Sequence, residues 1–358
     1  MFMSRTSFRN AGAAALLLSS AALAACSGGG GRAAAAPLSH FTTPAAQGTE
    51  TAAWKDYTFT IGDNGGDGSE PLAQLTGVFR SAPYKVKFAH FTYGPPLVQA
   101  TASGDIDLGV VGDVPPITGA AKEYGFSIVG VAHPFDATTP NEDILVPKGS
   151  PLTSLSQLRG KKIAVPPGSS AHGLALQAIK SVGLTPQDVH FVFLSPAAGA
   201  SAFASGSVDA WAIWNPQAAL AVKAGARVLA KGLPPIDQVN SYYVAPNKDL
   251  TDPDRRAALT DLFERLSAVY VWGTRHPDVL AKAVSTDDGI PLAAARSVLI
   301  FVEFHVTPVT PDDITAEQDL ATAFQEAGQI TKQVNVAQIT TNILPAGFDS
   351  NDLQLNSA

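Results

Sequence analysis

The sequence predicts an α/β protein of two similar lobes joined by two chain crossings. Three observations point there. Short apolar runs alternate with helical patterns from Tyr57 onward, the rhythm of βα units. An octapeptide recurs at an offset of 102 residues. Two apolar stretches, Asp143 to Val146 and Ser241 to Ala245, fall where the chain would cross between lobes. With 358 residues and 46% hydrophobic content, the chain is long enough for one large core or two medium ones.

The N-terminus reads as an export segment: Arg5 and Arg9, an Ala/Leu run from Ala11 to Leu23, then Leu23-Ala24-Ala25-Cys26. Small residues before a cysteine form a lipobox. Residues 1–25 are expected to be a cleaved signal peptide, and Cys26 to carry a lipid that tethers the protein to a membrane. The apolar run is short for a membrane span. Residues 26–54 are expected to be a flexible tether, because Gly, Ala, Ser and Pro dominate their first half. Cys26 is the only cysteine, so the folded part has no disulfide, no cysteine metal site and no cysteine nucleophile. Loss of residues 1–25 leaves 22 basic against 31 acidic groups. That charge disfavours nucleic acid and anionic lipid surfaces, so any bound anion must be held by local dipoles.

Predicted strands are Tyr57 to Ile61, Tyr84 to His90, Ile106 to Val111, Ser127 to Val131, Asp143 to Val146, Lys162 to Val165, His190 to Leu194, Ala210 to Ile213 and Arg227 to Ala230. Helices fill the gaps, most clearly Ala171 to Val182, Pro216 to Ala224 and Arg255 to Thr274. The repeat matches Ala100-Thr101-Ala102-Ser103-Gly104-Asp105-Ile106-Asp107 with Ala202-Phe203-Ala204-Ser205-Gly206-Ser207-Val208-Asp209. Each copy ends a helix at its Gly and enters a strand. Residues 55–142 and 245–358 are therefore assigned to the first lobe and 143–244, with hinge strands, to the second. Longer helical patterns after Asp252, over Pro277 to Val284, Pro291 to Phe301 and Pro311 to Ala327, are expected to wrap onto the first lobe.

A cleft between such lobes faces the carboxyl ends of both sheets, where ligands usually sit. Ile163 to His172 reads as a strand, a Gly turn and hydroxyls entering a helix, and free amides at a helix start favour an anion. Ser169 and Ser170 offer hydroxyls and His172 an imidazole, although one serine could simply be an N-cap. Thr92, Tyr93 and Gly94, with Gly112 and Asp113, form equivalent turns in the first lobe, and Asn64 lies in the loop after the first strand. Trp214 and Asn215 close a strand. Trp214 suits an apolar ligand tail while Trp211 suits the core. Of Tyr242 and Tyr243, one is expected at the hinge and one in the core, with Tyr242 taken as the ligand residue.

Catalytic and cofactor readings are weaker. Gly62 to Pro71 lacks the third glycine of a dinucleotide loop, and the twelfth position of a calcium loop counted from Asp63 is Gln74. No G-x-S-x-G elbow accompanies the serines, and the seven histidines show no transition-metal spacing. No catalytic residue, cofactor or metal is expected.

Three stretches, Gly104 to Ile117, Gly168 to His172 and Val208 to Pro216, in that order, resemble the aliphatic-sulfonate-binding protein family, within a wider group that binds taurine, nitrate and thiamine precursors. The resemblance spans roughly Tyr57 to Phe348. It implies a periplasmic-binding-protein fold of the second type, with a central mixed sheet in each lobe and two hinge crossings. It also implies an extracytoplasmic monomer that captures an aliphatic sulfonate or related small organic anion for an ABC permease and ATPase. Thr92 to Gly94, Gly112 to Asp113 and Ser169 to His172 map onto the family's anion-holding turns. One departure is the acidic loop holding Asp63, Asp67 and Glu70. Carboxylates lining the cleft would repel a bare sulfonate and favour an aminosulfonate or another ligand. A fold relative is a desulfinase with a cysteine nucleophile, a role that a lipid-bound Cys26 cannot fill.

Overall fold

A computed structural model describes residues 36–47, 49, 51–64, 68–136, 138–287, 289–297, 299 and 304–355. The expected signal peptide, Cys26 and Asp67 lie outside these residues. The strands are β1 (Thr58–Asp63), β2 (Lys85–His90), β3 (Leu108–Gly112), β4 (Phe126–Pro134), β5 (Glu142–Val146), β6 (Lys162–Val165), β7 (His190–Phe193), β8 (Ala210–Trp214), β9 (Arg227–Lys231), β10 (Ser241–Pro246) and β11 (Phe304–Thr307). The helices are α1 (Ser69–Thr76), α2 (Gly94–Ser103), α3 (Val114–Ala121), α4 (Ser170–Ser181), α5 (Pro196–Ala204), α6 (Gln217–Lys223), α7 (Asn247–Thr251), α8 (Pro253–Thr274), α9 (Pro277–Asp287), α10 (Leu292–Ser297) and α11 (Pro311–Glu326).

They build two mixed sheets, ordered β11-β4-β10-β3-β1-β2 and β7-β6-β8-β5-β9. In each sheet three strands run parallel, β2-β1-β3 and β7-β6-β8, and the next strand inward, β10 or β5, is antiparallel. Among the described residues the chain passes between the sheets twice, after β4 and after β9. The stretches expected to be hinge strands are therefore sheet members, β5 of the second sheet and β10 of the first. Both stay in register with neighbours on each side, which satisfies their backbone groups as a free hinge would not.

The internal repeat is a structural one. Gly104 and Gly206 both end their helices with positive φ, at 83° and 70°. Three residues later Asp107 accepts the Thr60 amide at 2.6 Å and donates its own amide to the Thr60 carbonyl at 2.9 Å. Asp209 does the same to Lys162, at 2.8 and 2.9 Å. Thr60 and Lys162 are themselves 102 residues apart, so each aspartate clasps the first parallel strand of its own sheet. This clasp delays β3 to Leu108, two residues after the predicted start. β11 was not foreseen; it is four residues long and follows a stretch patterned as helix, too short to show alternation.

Local signals set the helix starts. Asp252 precedes Pro253 and accepts the Asp254 and Arg255 amides at 3.0 and 3.3 Å, opening α8. Thr310 and Asp313 form a reciprocal capping box for α11. The core is continuous: Leu97, Val114 and Ile128 of the first lobe join Ile163, Leu174 and Ile179 of the second, with Leu320 and Phe324 of α11 between them. The last third thus does not stay on the first lobe, since α11 packs on both α3 and α4.

The expected tether is also corrected. From Leu38 the chain lies against the first lobe, with Leu38, Phe41 and Trp54 buried and Leu38 and Phe41 packed beside Val269 and Trp272 of α8. Thr43 donates to Asp261, and the Ala45 amide to Glu264 Oε2 at 2.8 Å. Buried charges on α8 that need partners hold this strap in place. Among the described residues no helix is long and apolar enough to cross a membrane.

Candidate functional site

Between the sheets lies a cavity of about 140 Å³. The starts of α2, α3 and α4 meet there, and close contact at two glycines brings them together. A Cβ on Gly94 would sit 2.5 Å from Pro115 Cγ, and one on Gly112 would sit 2.8 Å from Ser170 Cβ. Only hydrogen fits at either place, and the second contact joins the two lobes.

Eight of the twelve predicted residues line the cavity: Asn64, Gly94, Gly112, Asp113, Ser169, Ser170, Trp214 and Asn215. Four do not. Thr92 is exposed. Tyr93 and His172 border a separate crevice of about 530 Å³. Tyr242 is fully buried, its hydroxyl donating to Gln238 Oε1 at 3.3 Å, because β10 lies inside the sheet. Tyr243, equally buried, packs on Phe263. Trp211 stands in the core against Phe203, as strand alternation requires, and leaves Trp214 at the strand end facing the cavity.

His172 is packed among Phe191, Phe193 and Phe324, and Gly168 donates its amide to Nδ1 at 3.3 Å. Burial lowers its pKa to about 4, so the ring is neutral and offers the cavity no charge. The serine hydroxyls are used internally. Ser169 Oγ donates to the Pro166 carbonyl at 2.8 Å and Ser170 Oγ to Glu142 Oε2 at 2.9 Å. Asn215 Nδ2 donates to the Asn141 carbonyl at 2.9 Å, and its Oδ1 accepts the Ala219 amide. Pro95, Pro96, Pro115 and Pro116 carry no N–H, so α2 and α3 present fewer amides than ordinary helix starts. At the start of the twelve-residue α4 the His172 and Gly173 amides donate to the Ser169 carbonyl at 3.0 and 3.2 Å, which leaves those of Ser170 and Ala171 as the candidate donors.

The acids arrive from elsewhere than expected. Asp63 is buried and accepts Ser69 Oγ at 2.9 Å, Glu70 pairs with His90 at 2.8 Å, and neither lines the cavity. Asp63, His90 and Asp287 do bring one ligand atom each within 4.8 Å, away from the cavity. Among the described residues, the cavity's own acids are Asp113, Glu142 and Asp237. Sequence reasoning missed the last two. Glu142 directly follows the first crossing and Asp237 lies within the second, and a charge at such a place is the signal that would have found them.

Burial, then the Asp237 carboxylate, raises Asp113 to about 8. Burial followed by Asp237 and Asp113 raises Glu142 well above the usual carboxylate range, and burial raises Asp237. Behind them Glu317 is raised by burial and by Asp113. A carboxyl with a raised folded pKa binds more protons in the native state, so its stabilisation is complete below about pH 4 and is lost as pH rises through the folded value. His172 acts oppositely, but only between its folded value of about 4 and about 6.5. The ligand-free protein is thus expected to lose stability from pH 6.5 to 8.5. Asp113→Asn should flatten that slope in urea titrations at a series of pH values.

Two α/β lobes joined by two crossings, with a small cavity between them at the starts of their helices, define a solute-binding protein of the second type. The chain belongs to the NMT1/THI5-like family, whose model matches residues 72–256. Over 262 residues it is 33% identical to an aliphatic sulfonates-binding protein of Escherichia coli (strain K12), covering 71% of this chain and 78% of that one. A protein of the same name from Bacillus subtilis (strain 168) is 31% identical over 74% of this chain and 78% of its own. The alkanesulfonate-binding protein SsuA from Xanthomonas axonopodis pv. citri, solved bound to MOPS, superimposes with a TM-score of 0.73 at 31% identity, covering 80% of this chain and 98% of that chain.

Proposed function

We propose that the protein captures an aliphatic sulfonate in the cavity between its lobes and delivers it unchanged to an ABC permease and ATPase. It does so outside the cytoplasm, as a monomer tethered through the lipid on Cys26. The observation that carries this reading is the convergence of the α2, α3 and α4 starts on one cavity between the sheets in a chain of sulfonate-binding kinship. The α4 amides hold the anionic head, with Gly94 and Asn64 beside it, and Trp214 covers the tail. Turnover is not part of the reading, because the one cysteine of the chain is Cys26.

A thermal-shift screen of alkanesulfonates, aminosulfonates, nitrate, sulfate and pyrimidine precursors tests it. A ligand at 100 times its Kd stabilises the fold by about 2.7 kcal/mol, which a melting curve resolves. At least one sulfonate should do so and be recovered chemically intact. Silence from every sulfonate, or conversion of one to product, rejects the proposal.

A further inference from the structure

The acidic loop after β1 has no part in the interlobe site beyond Asn64, yet its acids converge with residues from elsewhere in the first lobe. Asp63 and His90 are register partners at the carboxyl ends of the parallel strands β1 and β2. The Phe91 amide donates to the Asp63 carbonyl at 2.8 Å and holds the two strand ends together. Asp287 arrives from the end of α9, and its Oδ2 accepts the Gly68 amide at 3.1 Å just ahead of α1. Asp63, His90 and Asp287 thereby offer one ligand atom each within 4.8 Å of one another. Spacing along the chain hides this set, because its members come from two strands and a distant helix.

The His90 ring is oriented from outside the set. Its Nε2 lies 2.8 Å from Glu70 Oε2, and Gln74 Nε2 donates to the other Glu70 oxygen at 2.8 Å. Glu70 accepts the Nε2 proton, which turns the Nδ1 lone pair toward Asp63 Oδ2, 3.8 Å away. A carboxylate on the non-ligating nitrogen is the usual support of a metal-bound histidine. Ligands at about 2.0–2.2 Å from a tetrahedral zinc stand about 3.3–3.6 Å apart, so small side-chain rotations complete the geometry. One imidazole with two carboxylates suits a divalent transition ion, whereas calcium and magnesium prefer oxygen alone. Asp63 is 1% exposed and the His90 side chain 54%, so the set has a fixed floor and an open side for ion and water to enter.

We propose that Asp63, His90 and Asp287 form a site for zinc or a similar divalent transition ion, with Glu70 as the residue that positions His90. The ion ties the ends of β1, β2 and α9 together beside the start of α1, so its role is structural and confined to the first lobe. It is independent of what the interlobe cavity binds. The alternative use of the same side chains is an imidazolium bridging Asp63 and Glu70 with no ion.

The test is calorimetric titration of the chelator-treated protein with zinc chloride at pH 7.5, with Cys26→Ser so that the thiol does not compete. One zinc per chain should bind and raise the melting temperature, and calcium chloride at the same concentration should do neither. His90→Gln replaces an exposed side chain, should fold normally and should weaken zinc at least about tenfold, as should Asp287→Asn. Glu70→Gln should weaken it by about tenfold through the ring orientation. His305→Gln breaks up a separate pair, His133 and His305, whose ring centroids are 5.7 Å apart, and should change nothing. Absence of zinc binding overturns the proposal, as does calcium binding as tight as zinc. Zinc affinity undiminished in both His90→Gln and Asp287→Asn, or lost in His305→Gln instead, overturns it equally and leaves His90 as a bridge between two acids.

Discussion

Gly112→Ala should weaken binding of the best sulfonate by about one to two orders of magnitude. The added methyl would lie 2.8 Å from Ser170 Cβ and 3.0 Å from Ser170 Oγ. Neither atom is the free end of a flexible chain, because Ser170 opens α4 and its hydroxyl is committed to Glu142. Overpacking of this kind typically costs about 1–3 kcal/mol. The strain falls on the contact between the lobes beside the cavity, and about 1.4 kcal/mol corresponds to a tenfold change in affinity. Calorimetric titration of the variant measures it. An unchanged Kd would mean that ligand capture does not require the Gly112–Ser170 contact.

Arg265→Ala should produce the largest loss of stability, about 3–5 kcal/mol in urea unfolding, because it breaks a buried ion pair from one side. Arg265 is 2% exposed. Its Nε donates to Asp261 Oδ2 at 2.9 Å, and one terminal nitrogen reaches the Phe41 and Val78 carbonyls and Ser81 Oγ at 2.9 to 3.0 Å. Removing it leaves Asp261 with Thr43 and Tyr84 as donors but with no positive charge, and detaches the strap at Phe41. Lys180→Ala, which breaks the exposed pair with Glu326, is the control and should cost at most about 1 kcal/mol. A cost for Arg265→Ala as small as for Lys180→Ala would show that the strap contributes little to the fold.

These two sites mark what sequence alone reveals. Asp107 and Asp209 announce themselves by repetition, and their strand clasps are what the repeat encodes. Gly112 and Trp214 end strands and Ser170 opens a helix, places that follow from local pattern, and all three line the cavity. Arg265 is different. Nothing near it in the chain shows that Phe41, over 200 residues earlier, will accept its hydrogen bond. The same non-local pairing hides Leu38 and Thr43 inside a segment whose composition reads as tether. Glu142 and Asp237 were missed for a related reason. Each looks like an ordinary polar residue beside a strand until two crossings bring them together. The acids that did draw notice, Asp63 and Glu70, are satisfied locally by Ser69 and His90.

His172 and Tyr242 fail for reasons of packing. A histidine two residues into a helix reads as ligand-facing, but three phenylalanines from two lobes enclose it. Tyr242 reads as a hinge residue, but β10 is paired on both sides and buries it in the sheet.

Whether the cavity at the start of α4 is where a sulfonate is held is decided by a crystal structure of the protein grown with the best sulfonate of the screen. A sulfonate group is expected within hydrogen-bond distance of the first amides of α4, between Gly94, Gly112 and Trp214. Sulfonate density in the crevice beside Tyr93 and His172, with the cavity holding only water, would contradict it.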